Sequence, residues 1–300
     1  VTLSEREALG DSYNQGYVIS DNALDIETAI SGLNSTSIGT TTLGRADSVN
    51  STDGTITVTV AEREALGDSY NQSYNISDIA SSIESAISGL TTNTVSGTTL
   101  GGASSVNLSG LQNFITVSIA ERKALDDSYV NGNRINDTVE NITAEMGANP
   151  SGSSLLIGTQ ETDPGVAILA NNAGVDNKID INVQEVNFYA TKLSPSQVSI
   201  TDSVTNIASS SLFNFDVSVR GDFVTSPELT PVTMTVDTSL DFSDLTGIPS
   251  EVFQNVDVID ITSSGTTVVM PLIAATKLSA DSVSAAASDV QFVDTTIVGT

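Results

Sequence analysis

The chain contains no cysteine, no histidine and no tryptophan. Without the first two, disulfide staples, thiolate chemistry, ordinary zinc sites and the Ser-His-Asp and Cys-His arrangements are excluded. Bases are scarce too: ten Lys and Arg stand against 37 Asp and Glu, a net charge of −27 over 300 residues. The acid content is ordinary, so the imbalance comes from missing bases. Such a surface repels nucleic-acid phosphates and anionic lipid, and no nucleic-acid partner is expected. Divalent cations are its natural counter-ions. No apolar run reaches the length of about 18 residues that spans a bilayer. The most apolar stretch, residues 268–275, is broken by Pro271. No P-loop or dinucleotide fingerprint is present. The chain is therefore read as a non-enzyme. The remote alternative is a secreted polysaccharide-acting enzyme working through paired carboxylates, but 37 acids nominate no particular pair.

Aromatics make up only 5% of the chain, whereas hydrophobic residues make up 39%. There is enough apolar material for a core, and Val, Ile, Leu and Ala must build it. The dominant feature is repetition. Residues 1–50 recur as 58–107. The string EREALGDSYNQ begins at Glu5 and again at Glu62, and AISGL, TTLG and SVN recur at the same spacing. A third copy opens with ERKALDDSY at Glu121 and diverges after Met146. A fainter echo links residues 200–209 (ITDSVTNIAS) to 76–85 (ISDIASSIES). Val1 aligns with Val58, inside a strand pattern, so the segment reads as a piece of a longer polypeptide.

Within a copy, Ile56 to Val60 alternates as a strand. AEREAL after it is a short helix stopped by Gly67. A polar turn follows, and Ser77-Asp78 reads as a helix N-cap. Ile79, Ile83, Ile87 and Leu90 then share one helical stripe. One such unit covers its stripe poorly by itself, so neighbours must stack. From about residue 151 the pattern changes, and 178–189, 213–219, 231–236 and 256–261 read as strands. The expected fold is α+β and β-rich: tandem strand-helix repeats in a solenoid-like array, followed by a β-rich region. The expected divisions are 1–55, 56–114, 115–150 and 151–300, the last a β-rich domain or degenerate repeats.

Four sets of residues recur at fixed places. Asp21, Asp78 and Asp137 form one set, and Asp11, Asp68 and Asp127 lie in the polar turn. Helix capping is one reading of the first set; a shared Ca²⁺ site with the second is the other, since carboxylates and carbonyls suit that ion. Neither an EF-hand loop nor a GGxGxDxUx nonapeptide is present. Arg6, Arg63 and Arg122 take three of the ten basic positions, and each is expected to pair with a carboxylate within its unit or across a unit boundary, with a solvated helix face as the alternative. Tyr13, Tyr70 and Tyr129 are expected to pack beneath the turn, with carbohydrate stacking as the alternative. Seven Asn-x-Ser/Thr sequons occur, about what 22 Asn among so many Ser and Thr produce by chance.

The run ITVTVAEREAL at 56–66, followed by YNISDIASSI at 74–83, resembles repeats of very large secreted surface proteins of cyanobacteria and other marine bacteria. The resemblance covers roughly the first 146 residues. It implies an extracellular or cell-surface location and a role in an S-layer, sheath or adhesin, often with calcium. The expected function is structural: a surface layer, sheath or filament built by stacking and self-assembly, with copies of itself as partners. The alternative is the stalk of a calcium-dependent adhesin that meets glycans or a cell surface.

Overall fold

The computed structural model describes residues 1–10, 13, 15–129, 131–149, 152–157, 167–174, 177–189, 192–210, 232–236, 245–248, 252–253, 256–261, 268–277 and 290–293. The chain divides into two compact units, residues 1–134 and 135–300.

In the first unit, helix α1 (Leu3–Leu9) leads to β1 (Val18–Asp21), α2 (Ala23–Ile30) and β2 (Ser48–Ser51). The order returns as β3 (Ile56–Val58), α3 (Val60–Leu66), β4 (Tyr74–Asp78), α4 (Ala80–Ile87) and β5 (Ser105–Leu108). It starts again with β6 (Phe114–Val117), α5 (Ile119–Leu125) and β7 (Gly132–Asp137), in which the division between units falls. Strand β1 lies beside β2, and β4 lies between β3 and β5. These pairings are parallel: Ile56 faces Tyr74, Ile76 faces Val106, and Ile19 faces Val49. Parallel neighbours require a crossover, and here a helix supplies it. The class is thus mixed α/β, where α+β was expected. Strand-helix alternation is visible in a sequence, but the direction in which each strand returns is not.

The first helices start where they do because of capping boxes. Thr59 Oγ1 accepts from Glu62 N at 3.2 Å, and Thr59 N donates to the Glu62 carboxylate at 2.8 Å. Thr2 with Glu5 and Ser118 with Glu121 repeat the arrangement. The second helices bury Ile26 and Ile30, or Ile83 and Ile87, against parallel strands whose Ile19, Val49, Ile76 and Val106 are fully enclosed. Each such side chain contributes about 1.5–3 kcal/mol relative to exposure. Ile79 does not join this stripe: it precedes α4 as its N-cap and is half exposed. The glycine of TTLG has a steric reason. A Cβ at Gly44 or Gly101 would sit 2.0 Å from the carbonyl oxygen of Ile38 or Val95.

The second unit continues from β7 with α6 (Val139–Ala148), α7 (Ser154–Ile157), β8 (Ile168–Ala170), β9 (Ile179–Ile181) and α8 (Val183–Tyr189). Then follow β10 (Val198–Ser203), α9 (Val204–Ser209), β11 (Val232–Val236), β12 (Val258–Ile261), β13 (Val268–Pro271) and β14 (Val290–Val293). Strands β9 to β12 form one sheet in that order, β13 pairs with β14, and Ile135 faces Ile168; all are parallel. Residues 178–189, read as a single strand, are a strand followed by a helix. Asn182 and Glu185 close a capping box there, with bonds of 2.8 and 2.9 Å. The strand expected at 213–219 lies outside the described residues.

Candidate functional site

The recurrent aspartates end strands, and their carboxylates hold backbone N–H groups. Asp78 accepts from Val60 N at 3.0 Å with one oxygen and from Ile79 N at 2.7 Å with the other. Val60 is the first residue of α3, 18 residues earlier in the chain. Asp21 does the same for Leu3 N and Asn22 N, each at 2.9 Å. The capping reading is therefore right in chemistry and wrong in target. Asp21 and Asp78 each cap the helix before them and tie that helix to the end of the next strand. Asp137 accepts from Thr138 N at 2.8 Å and from Asn141 Nδ2 at 2.7 Å. In the second unit, Asp202 accepts from Val183 N at 3.0 Å and Ser203 N at 2.7 Å, in the manner of Asp78. The echo at residues 200–209 thus occupies an equivalent place in its own unit.

This geometry bears on calcium. Asp21, Asp78 and Asp137 are buried, and each carboxylate accepts at least one backbone N–H. Asp68 and Asp127 are exposed on the turns that follow α3 and α5, and Asp11 lies outside the described residues. Among the described residues no group of three or more acidic side chains gathers as a metal site does.

Among the described residues, the arginines hold carbonyls instead of carboxylates. Arg63 donates to Gly67 O at 2.8 Å and Tyr70 O at 3.0 Å, and its guanidinium lies 4.5 Å from the Tyr74 ring centre. Arg6 donates to Gly10 O and Tyr13 O over the Tyr17 ring, and Arg122 to Asp126 O beside the Tyr129 ring. A cation placed where a helix ends complements the helix dipole and the last carbonyls. Helix exit, turn and next strand are thereby fixed together.

Tyr70 and Tyr129 pack beneath the turn, as expected, with 0% and 2% exposure, whereas Tyr13, expected to do the same, is 38% exposed. Burial holds both phenols above the ordinary value of 10. Two further tyrosines escaped notice in the sequence. Tyr17 OH donates to Thr42 O at 2.6 Å and Tyr74 OH to Thr99 O at 2.7 Å, anchoring the Thr/Gly-rich tail of each copy.

The contacts between copies were not foreseen either. Glu27 accepts from Thr57 N at 2.6 Å, and Glu84 accepts from Thr116 N at the same distance. In return Glu62 accepts from Gly32 N at 2.8 Å and Glu121 from Gly89 N at 2.7 Å. Around these bonds α2 packs on β3 and α4 on β6. Strand β2 meets the turn Gly67–Ser69, and β5 meets the turn Asp126–Ser128. The signal was available, because each residue in these bonds recurs with the repeat spacing.

A polar cavity of about 430 Å³ in the second unit is lined by Asn182, Gln184, Asp202, Asn206 and Ser209 among others. Its one carboxylate, Asp202, is occupied by the backbone N–H groups above and by Asn206 Nδ2 at 2.7 Å. Comparison of the chain with protein-family models, curated proteins and solved structures finds no match.

Proposed function

We propose that this protein is a structural component of an extracellular layer, sheath or filament, and that it acts by stacking its repeats into a solenoid-like array. The observation that carries this reading is the duplicated junction. The same pair of glutamates crosses from copy one to two and from copy two to three, in both directions and with matching distances. A surface made twice by one sequence motif is a repeatable joint. Its energy comes from buried aliphatic side chains and from backbone N–H groups held by carboxylates. The functional groups found so far position neighbouring elements, which is the chemistry an architectural protein needs.

Electron microscopy of the purified chain tests this. Regular filaments or sheets formed without any partner are the expected result. Monomeric rods that bind glycans or cells would instead support the adhesin stalk, and a monomer that binds nothing would remove both readings. Calcium enters the proposal as a cation bridging acidic outer faces, away from Asp21, Asp78 and Asp137. EDTA is then expected to weaken assembly while leaving the melting temperature unchanged.

A further inference from the structure

One corner of the strand-helix module is closed by polar side chains in copy one and again in the second unit, but is apolar in copy two. It lies where a linker passes the start of the second helix. Thr52 N, Ser109 N and Asn171 N each donate to the carbonyl of the strand-ending aspartate at 2.8 Å, so the three linkers are in register. The next residue differs. Asp53 accepts from Ala23 N and Asn172 from Val139 N, both at 2.7 Å. Gly110 has no side chain to offer the start of α4. The N-cap differs in the same way: Asn22 and Thr138 bond to the first turn of their helices, and Ile79 makes no such bond. Isoleucine is among the poorest N-caps. Ile79 is 52% exposed, and a Cβ on Gly110 would lie 3.9 Å from its side chain. Leu111, fully exposed, comes next. Copy two thus gives up capping at this corner and shows two large aliphatic side chains to solvent. Local rules are broken in this way where a surface is built for contact.

Charge says what can meet this corner. Against copy one, copy two has Ser82 for Asp25, Gly102 for Arg45, Ser104 for Asp47 and Gly110 for Asp53. No charged residue occurs from Ser85 to Ala120, and the carboxylate of Glu84, just before, is held by Thr116 N at 2.6 Å. The chain as a whole carries a net charge of −27 and repels others of its kind. Here two such chains can approach without like charges opposed. A cationic partner would be drawn to the acidic remainder of the surface, not to the place that has shed its acids. We propose that the corner made by Ile79, Gly110 and Leu111 is a docking site for a second copy of this chain, which meets it with the same corner. Such an isologous contact is self-complementary: Ile79 and Leu111 of one chain pack on the same pair of the other. It joins chains laterally and is separate from the glutamate junctions within one chain. This inference rests on the structural reading above and names a surface through which it operates.

Sedimentation velocity over a wide concentration range, at low and moderate salt, provides the test. The wild-type chain is expected to associate reversibly, more strongly at moderate salt, which screens the net charge. Ile79→Asp and Leu111→Asp are each expected to weaken association by about tenfold or more, with circular dichroism showing that each variant is folded. Ile79→Asn restores the residue that copy one carries at this place. It is expected to weaken association while raising the melting temperature by about 2–4 °C, an opposition that a purely structural role would not produce. Leu24→Asp, at an exposed leucine beside Asp25, is expected to associate like the wild type. Association that survives both Asp variants at the corner, or that Leu24→Asp weakens equally, overturns the inference and leaves the structural reading standing through another surface. A chain that stays monomeric at every concentration and salt level overturns the inference and removes self-assembly with it.

Discussion

Copies one and two share an eleven-residue string, EREALGDSYNQ, yet the string has two different environments. In copy two its leucine and tyrosine are enclosed; in copy one they are open. Local structure is the same in both: capping box, short helix, positive-φ exit at Gly10 or Gly67, and an arginine holding the turn. The string therefore dictates local structure by itself, whereas burial depends on which neighbour precedes it. The largest expected effect lies there. Tyr70→Ala empties a fully enclosed site and is expected to cost about 3–5 kcal/mol. Tyr13→Ala is expected to cost less than about 1 kcal/mol in the isolated chain. Thermal melting of the two variants side by side checks this, and equal losses would refute the contrast.

The aspartate latch behaves in the opposite way, since it is local to a module and looks alike in both copies. Asp78→Ala leaves the N–H groups of Val60 and Ile79 without an acceptor in a buried place. About 2–4 kcal/mol is expected to be lost, each stranded donor costing about 1–3 kcal/mol. Asp21→Ala is expected to fall in the same range, because Leu3 N and Asn22 N are served identically. Denaturant unfolding measures both. A marked difference between them would show that the preceding copy supports the latch as well as the tyrosine.

Alkaline pH sharpens the contrast further. Desolvation by burial is the first cause of the raised phenol values of Tyr70 and Tyr129. The folded state therefore keeps these protons after the unfolded chain has begun to lose its own near 10. Their stabilising contribution is complete below that pH and declines as pH rises toward the folded-state values. Melting temperature is expected to fall above about pH 10, and Tyr129→Phe to flatten that fall at the cost of the bond to Gly132 O.

Much of the first unit was legible because its signals are local. The strand alternation at Ile56 to Val58, the stop at Gly67 and the Ile83 and Ile87 stripe each need only a few neighbouring residues. Asp78 was harder. Ser-Asp before a helix-like stripe is what an N-cap looks like, and nothing nearby says that the carboxylate turns back to a helix 18 residues earlier. Arg63 was misassigned for a similar reason: a chain rich in acids suggests an ion pair, while the backbone carbonyls at a helix exit leave no trace in composition. Residues 178–189 failed on length. A strand of three residues runs into a helix of seven through Asn182, and apolar spacing over so few residues fits either period. The junction glutamates were legible in principle, since Glu27 and Glu84 share one repeat position, but exposed acids on a helix are also what solvation alone produces.

The smallest effect concerns the helix exit, where the copies differ by one residue. Gly10 and Gly67 leave their helices with φ of 55° and 51°, and Asp126 takes the same place with φ 46°. With ψ between −154° and −141° these positions lie outside the left-handed helical basin, in a region close to glycine's own, and a residue with a Cβ pays about 1–3 kcal/mol there. Nothing lies within 4 Å of a Cβ built at Gly67, so the strain there is in the backbone and not in packing. Asp126→Gly is accordingly expected to stabilise the chain by about 0.5–1 kcal/mol, and Gly67→Asp to destabilise it by a similar amount. Asp126 stands at the C-terminal end of α5, where a negative charge opposes the helix dipole, so its removal acts in the same direction. Repeating the melts at high salt separates the two contributions: the dipole part fades with screening, and the backbone part remains. A stabilisation that disappears entirely in salt would assign the effect to charge and show that Asp126 bears no strain.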